Sequence, residues 1–157
     1  MSRAFAFVCG ILSIAAFAAP VKAQTVTGNV SIQVQNNFSQ TQSIGTNLIQ
    51  CTGCTYSPNP PTFISYGSLS SAFVATPTTS GTTALATVAY GTNVGSQQYV
   101  CQFQATTLVS LNGGPCGTPT ISAVATDGVY PSPHCTAGTP QINPTTCNYS
   151  ITFTMAN

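Results

Sequence analysis

Along the last stretch of the chain, apolar and polar residues alternate without a break. Cys147, Tyr149, Ile151, Phe153 and Met155 take one parity, and Asn148, Ser150, Thr152 and Thr154 the other. Successive side chains leave a strand on opposite faces, so this period of two predicts a strand with one buried and one wet face. The pattern recurs near the start, where Val26, Val30, Ile32 and Val34 oppose Thr27, Asn29, Ser31 and Gln33. It recurs again where Tyr99, Cys101, Phe103 and Ala105 oppose Gln98, Gln102, Gln104 and Thr106, with Val100 the exception. Weaker strands are expected at 44–49 running into Cys51, at 62–64, at 69–75, at 84–90 and at 121–126.

Turn residues separate these runs. Asn36-Asn37 ends the first, and Asn112-Gly113-Gly114-Pro115 reads as a turn. Residues 51–61 are expected to form a loop, because their prolines withhold ladder donors. Residues 76–83 and the proline-rich 127–145 are expected to be loops as well. No window has helical spacing and no segment repeats. The expectation is one all-β domain, an antiparallel sandwich of about seven to nine strands. A barrel-like closure, including a small outer-membrane barrel, is the variant within that class.

The first residues follow a different grammar. Met1-Ser2-Arg3 precedes an apolar run from Ala4 to Ala19, and Pro20-Val21-Lys22-Ala23 follows. A short basic start, an apolar centre and small residues before a cut are the parts of a secretory signal peptide. The apolar run is 16 residues, short of the ~20 needed to span a bilayer. The expected organisation is a signal peptide over 1–23, which discards Cys9, and a secreted domain over 24–157 beginning at Gln24.

That division changes the charge picture. Both basic residues, Arg3 and Lys22, fall in the leader, leaving Asp127 and His134 as the domain's only acid and histidine. Binding to phosphate backbones or anionic lipid needs Lys and Arg, so neither nucleic acid nor an anionic membrane surface is an expected partner. Two-carboxylate glycoside hydrolysis and calcium or magnesium binding lack their side chains. Removing 23 of 157 residues leaves 134, of which 60 are Ser, Thr, Asn or Gln. With so few titrating groups, stability is expected to change little with pH across the mild range.

Six cysteines remain: Cys51, Cys54, Cys101, Cys116, Cys135 and Cys147. An even number in an exported chain implies three disulfides and no free thiol. Cys51 and Cys54 are expected to close their own short loop. Cys101 and Cys147, inward by parity on the two clearest strands, are expected to bridge the core, and Cys116 and Cys135 to join two loops. A redox role for Cys51-Thr52-Gly53-Cys54 would want a helix N-terminus, and the site lies between a strand and a loop. A metal site would want a second spaced Cys/His pair, so no metal or other cofactor is expected.

Asp127 and His134 have no Gly-x-Ser-x-Gly nucleophile to serve, so they remain a candidate titrating pair rather than part of a triad. Asn29, Asn37 and Asn148 open N-glycosylation sequons, with Asn29 and Asn148 on outward parities. The leading expectation is a non-enzymatic structural or adhesive domain working through neutral contacts, with itself or with cell-surface components. The alternative is a monomeric glycan- or ligand-binding module that stacks sugars on the loop tyrosines Tyr56, Tyr66 and Tyr130.

Overall fold

A computed structural model of the chain describes residues 24–38, 42–126 and 132–157. In chain order the strands are β1 (Val26–Thr27), β2 (Val30–Asn37), β3 (Ile44–Thr52), β4 (Cys54–Tyr56), β5 (Phe63–Ile64), β6 (Phe73–Pro77) and β7 (Leu85–Val94). They continue as β8 (Gln97–Thr106), β9 (Val109–Ser110), β10 (Ile121–Ala125), β11 (His134–Ala137), β12 (Gln141–Ile142) and β13 (Tyr149–Ala156). No helix occurs among the described residues. Eight strands have four or more residues, and the other five are short additions of two or three. The expected all-β sandwich is the observed fold. One open sheet runs β10-β8-β7-β3-β5, the other β11-β13-β2-β6-β4 with β12 beside β13, and β1 pairs β9 separately.

The periodic runs supply the core. Val30, Ile32 and Val34 of β2 and Tyr149, Ile151, Phe153 and Met155 of β13 are buried, and the residues between them are not. Ala86, Val88 and Tyr90 of β7 and Cys101, Phe103 and Ala105 of β8 face them from the other sheet. Phe103 stacks on Phe153 with ring centroids 4.8 Å apart. Each buried Val, Ile, Phe and Met among them contributes roughly 1.5–3 kcal/mol. β7 and β8 form a hairpin of ten paired positions whose two-residue turn, Gly95-Ser96, uses the positive φ of Gly95. The expected Asn112-Gly113 turn is present, with both residues at positive φ.

Four expectations need correction. The ladder is not wholly antiparallel: β13 pairs β2 in parallel over eight residues, from Tyr149↔Val30 to Ala156↔Asn37. A parallel pair needs a long crossover. Here nearly the whole domain supplies it, because these are the first and last long strands. Residues 51–61 are not one loop. β3 runs through Thr52, and Cys54–Tyr56 forms β4 against β6 before the prolines begin. Within 127–145, β11 and β12 both add to β13 despite the flanking prolines.

The fourth correction concerns disulfides. Cys51–Cys54 is as expected, but the other bonds are Cys101–Cys135 and Cys116–Cys147. Parity told which way Cys101 faces, not which neighbour it meets. Cys101 pairs with Ala125 on β10, at one flank of the sandwich, and β11 lies over that flank. Cys147 precedes β13, sits at φ 57°, and reaches the 111–120 loop instead of the core centre. Gly28 presses on it so closely that a Cβ there would fall 2.0 Å from the Cys147 carbonyl oxygen.

Loop length ranks the bonds in stabilising effect. Cys101–Cys135 closes a separation of 34 residues and Cys51–Cys54 one of 3. Chain-entropy reasoning assigns about 4 and about 2 kcal/mol. Paired Cys→Ser substitution at Cys101 and Cys135 is therefore expected to lower unfolding free energy about twice as much as the same change at Cys51 and Cys54. Denaturant titration checks the order. Peptide mapping without reductant should return the three pairs described, and equal losses in the two double variants would refute the loop argument.

Candidate functional site

The two flanks of the sandwich differ. On one, β10 and β11 pack edge to edge and the Cys101–Cys135 bond ties the sheets together. On the other, residues 44–77 pass back and forth between sheets as β3, β4, β5 and β6. That flank carries five of the eight large hydrophobic side chains exposed among the described residues: Leu48, Ile49, Phe63, Tyr66 and Leu69, with Phe63 71% exposed. Exposed large apolar side chains concentrated on one flank make that flank the candidate interaction surface.

The cluster sits on a rigid frame. Asn36, fully buried at the end of β2, donates from Nδ2 to the carbonyls of Gln42 (2.9 Å) and Ile64 (3.0 Å). Its Oδ1 accepts from Phe38 N, its own N–H donates to Ser68, and its carbonyl accepts from Gly67 N. One side chain and its peptide thereby pin the 64–68 turn that holds Tyr66. Ser70 does the same for the following residues: its Oγ accepts from Val34 N at 2.9 Å and donates to Ser71 O. No buried side-chain N or O among the described residues lacks a partner. Unpartnered groups would each cost ~1–3 kcal/mol, so the loop has little reason to rearrange.

The three sequence-predicted tyrosines are not brought together. Tyr66 is exposed on the open flank. Tyr56 lies in β4, edge-on to Phe73, and its hydroxyl donates to the carbonyls of Gln50 (3.1 Å) and Thr87 (3.2 Å). Its ring is committed to the sandwich interior. Tyr130 and Asp127 lie outside the described residues, and His134 is exposed at the start of β11, paired with Ala156. Cys51 and Cys54 join β3 of one sheet to β4 of the other, a corner staple with no helix among the described residues. Among the described residues, no three His, Cys, Asp or Glu side chains are grouped to hold a metal.

Asn148 is exposed, and its Oδ1 accepts from Asn29 N at 2.7 Å. Two surface hollows, of about 180 Å³ beside Thr106 and Thr120 and about 240 Å³ beside Asn29 and Pro77, fall below the ~300–1,000 Å³ of small-molecule sites. The sequence reading missed Leu48, Ile49, Phe63 and Leu69. A signal existed for two of them: Leu48-Ile49 breaks the alternation, so one of the pair must face outward. Comparison with known proteins finds no family model that matches the chain and no match among curated proteins.

Burial raises the pKa of three phenols: Tyr56 is pushed up to about 12, and Tyr90 and Tyr149 are raised as well. In the unfolded chain a phenol titrates near pH ~10. The neutral phenols therefore stabilise the fold fully below that pH, and the contribution is lost as pH rises through the folded values. Unfolding free energy should fall above pH ~10. Tyr149→Phe, which loses the 2.6 Å bond to Thr106 O, should start lower but decline less steeply. Denaturant titrations at stepped alkaline pH check this, and a profile still level well above pH ~10 would overturn it.

Proposed function

We propose that the chain is an exported, non-enzymatic structural or adhesive domain that works by neutral surface contacts, self-association among them. The observation that carries this reading is the open flank, which exposes five apolar side chains, with Tyr66 and Leu69 on a segment pinned by Asn36 and Ser70. Rigid apolar and aromatic groups make efficient contacts because little side-chain entropy remains to be lost. Three intramolecular disulfides are typical of extracellular or exported proteins. They support export of the domain once the leader over 1–23 is removed.

The charge content argues in the same direction. Asp127 is the only acidic residue of the proposed domain, and no basic residue other than His134 follows Lys22. Net charge is what keeps most soluble proteins apart by mutual repulsion. Without it, contact is governed by apolar area and neutral hydrogen bonding. Nucleic acid and anionic membranes have no Lys or Arg to meet. The glycan-binding alternative depends on a tyrosine platform, and Tyr66 is its one exposed member among the described residues in place of the three it began with.

Light scattering after size exclusion should show mass rising with protein concentration, and little change on adding salt. Phe63→Ser should reduce that rise without lowering the melting temperature, because the ring is mostly exposed. A monomer at every concentration, together with binding to a glycan array that Tyr66→Ala abolishes, would favour the alternative.

A further inference from the structure

The open flank contains one long strand edge that the described strands cover only at its start. On its inner side β3 pairs β7 from Gly45 to Thr52, with a bulge between Thr46 and Leu48. On its outer side β5 covers only Ile44 and Gly45, and Thr46 N reaches Thr62 O. From Asn47 to Thr52 no described strand lies on the outer side. Asn47, Leu48, Ile49 and Gln50 are all exposed, so both faces of the strand meet solvent along that stretch.

The direction of the free backbone groups follows from Tyr56. Its hydroxyl contacts the carbonyls of both Gln50 and Thr87, and these two residues are partners across β3 and β7. Carbonyls of opposed residues lie close enough to share one donor only where the pair exchanges hydrogen bonds; in the other kind of pair they point apart. Gln50 therefore turns its peptide groups towards β7, and Ile49 and Cys51 turn theirs to the open side.

Proteins usually guard such an edge with a charge, a proline, a bulge or a very short strand. The other edges here are guarded. β10 packs against β11 under a disulfide, β4 has three residues and runs on towards Pro58, and β5 has two and follows Pro60-Pro61. From Leu48 to Thr52, β3 has no charge, no proline and no bulge.

We infer that a second copy of this chain pairs antiparallel with this edge, β3 to β3, extending the five-stranded sheet across a two-fold axis near Ile49. The inference rests on the self-association proposed above and names its site. Charge selects the occupant. No residue from Gln24 to Thr126 is charged, so a charged partner finds no counter-charge, whereas a neutral extended edge meets no repulsion. β3 is itself such an edge. Pairing about Ile49 sets the two Ile49 side chains opposite each other and brings the two Leu48 side chains to the diagonal of the other face, positions at which cross-strand pairs interact. The free groups of Ile49 and Cys51 then gain partners, and a closed isologous dimer results.

Backbone amide exchange, measured on the disulfide-intact chain at low and high concentration beside light scattering, tests this. The expected result is that mass rises with concentration and that the Ile49 and Cys51 amides become protected in step. Ile49→Lys sets like charges face to face and should weaken association by about a hundredfold or more, while Leu111→Lys, at another exposed site, should not. Both side chains are exposed, so both variants should melt with the parent, and Leu48→Lys serves if Ile49→Lys does not. Assembly that survives the β3 lysines, with Ile49 and Cys51 exchanging freely, overturns β3 pairing but leaves self-association standing. A chain monomeric at all concentrations overturns both.

Discussion

The parallel pairing of β2 with β13 is the interaction on which the rest of the molecule depends. It joins residues more than a hundred positions apart, and its eight paired positions set the register of the six-stranded sheet. On its inner face Val30, Ile32 and Val34 lie beside Tyr149, Ile151, Phe153 and Met155, all buried. The second sheet packs onto that surface through Phe103 and Tyr90. A slip of one residue in this pair would turn a whole apolar row to solvent. Nearly every other element lies between the two strands in sequence. The β7–β8 hairpin, the flanks and the disulfides are arranged around a closure made by chain ends.

Closing a sheet so late leaves the sandwich dependent on its flanks. The β10/β11 flank is held covalently by Cys101–Cys135 and by edge-to-edge packing. The opposite flank is held by hydrogen bonds, from Asn36 and Ser70 to the 64–71 segment and from Tyr90 Oη to Pro61 O at 2.9 Å. The two flanks also differ in what they show to solvent. The disulfide flank exposes Val124, Ala125 and Ala137 beside Thr126, His134 and Thr136. The hydrogen-bonded flank presents Leu48, Ile49, Phe63, Tyr66 and Leu69 on a strand edge and a turn that are internally fixed.

A neutral chain also shifts where stability comes from. Ion pairs contribute nothing across residues 24–126, because none of these residues is charged. What remains is apolar burial, three cross-links and a set of buried hydroxyl and amide contacts. Thr107 and Ala84 illustrate the last group: Ala84 N donates to Thr107 Oγ1 at 2.8 Å, and Thr107 N donates back to Ala84 O. Such neutral bonds are weakly screened by salt and contribute about 0.5–1.5 kcal/mol each.

The sequence by itself determined the class of fold, the inward residues of β2, β8 and β13, the Asn-Gly turn, and the paired state of the six cysteines from Cys51 onward. Each follows from local physics: the period of a strand, the positive φ of a turn, the parity of a cysteine count. Only the tertiary structure decided which cysteines meet, because side-chain direction on one strand says nothing about the neighbour across the sheet. It also decided that the first and last strands run parallel and that Tyr56 belongs to the interior, since both depend on contacts between segments far apart in the chain. The candidate site was legible only as a fault in the pattern, the adjacent apolar pair Leu48-Ile49. Whether that fault faced a neighbour or water was set by how far β5 extends along β3, and the prolines at 60 and 61 stop it after two residues.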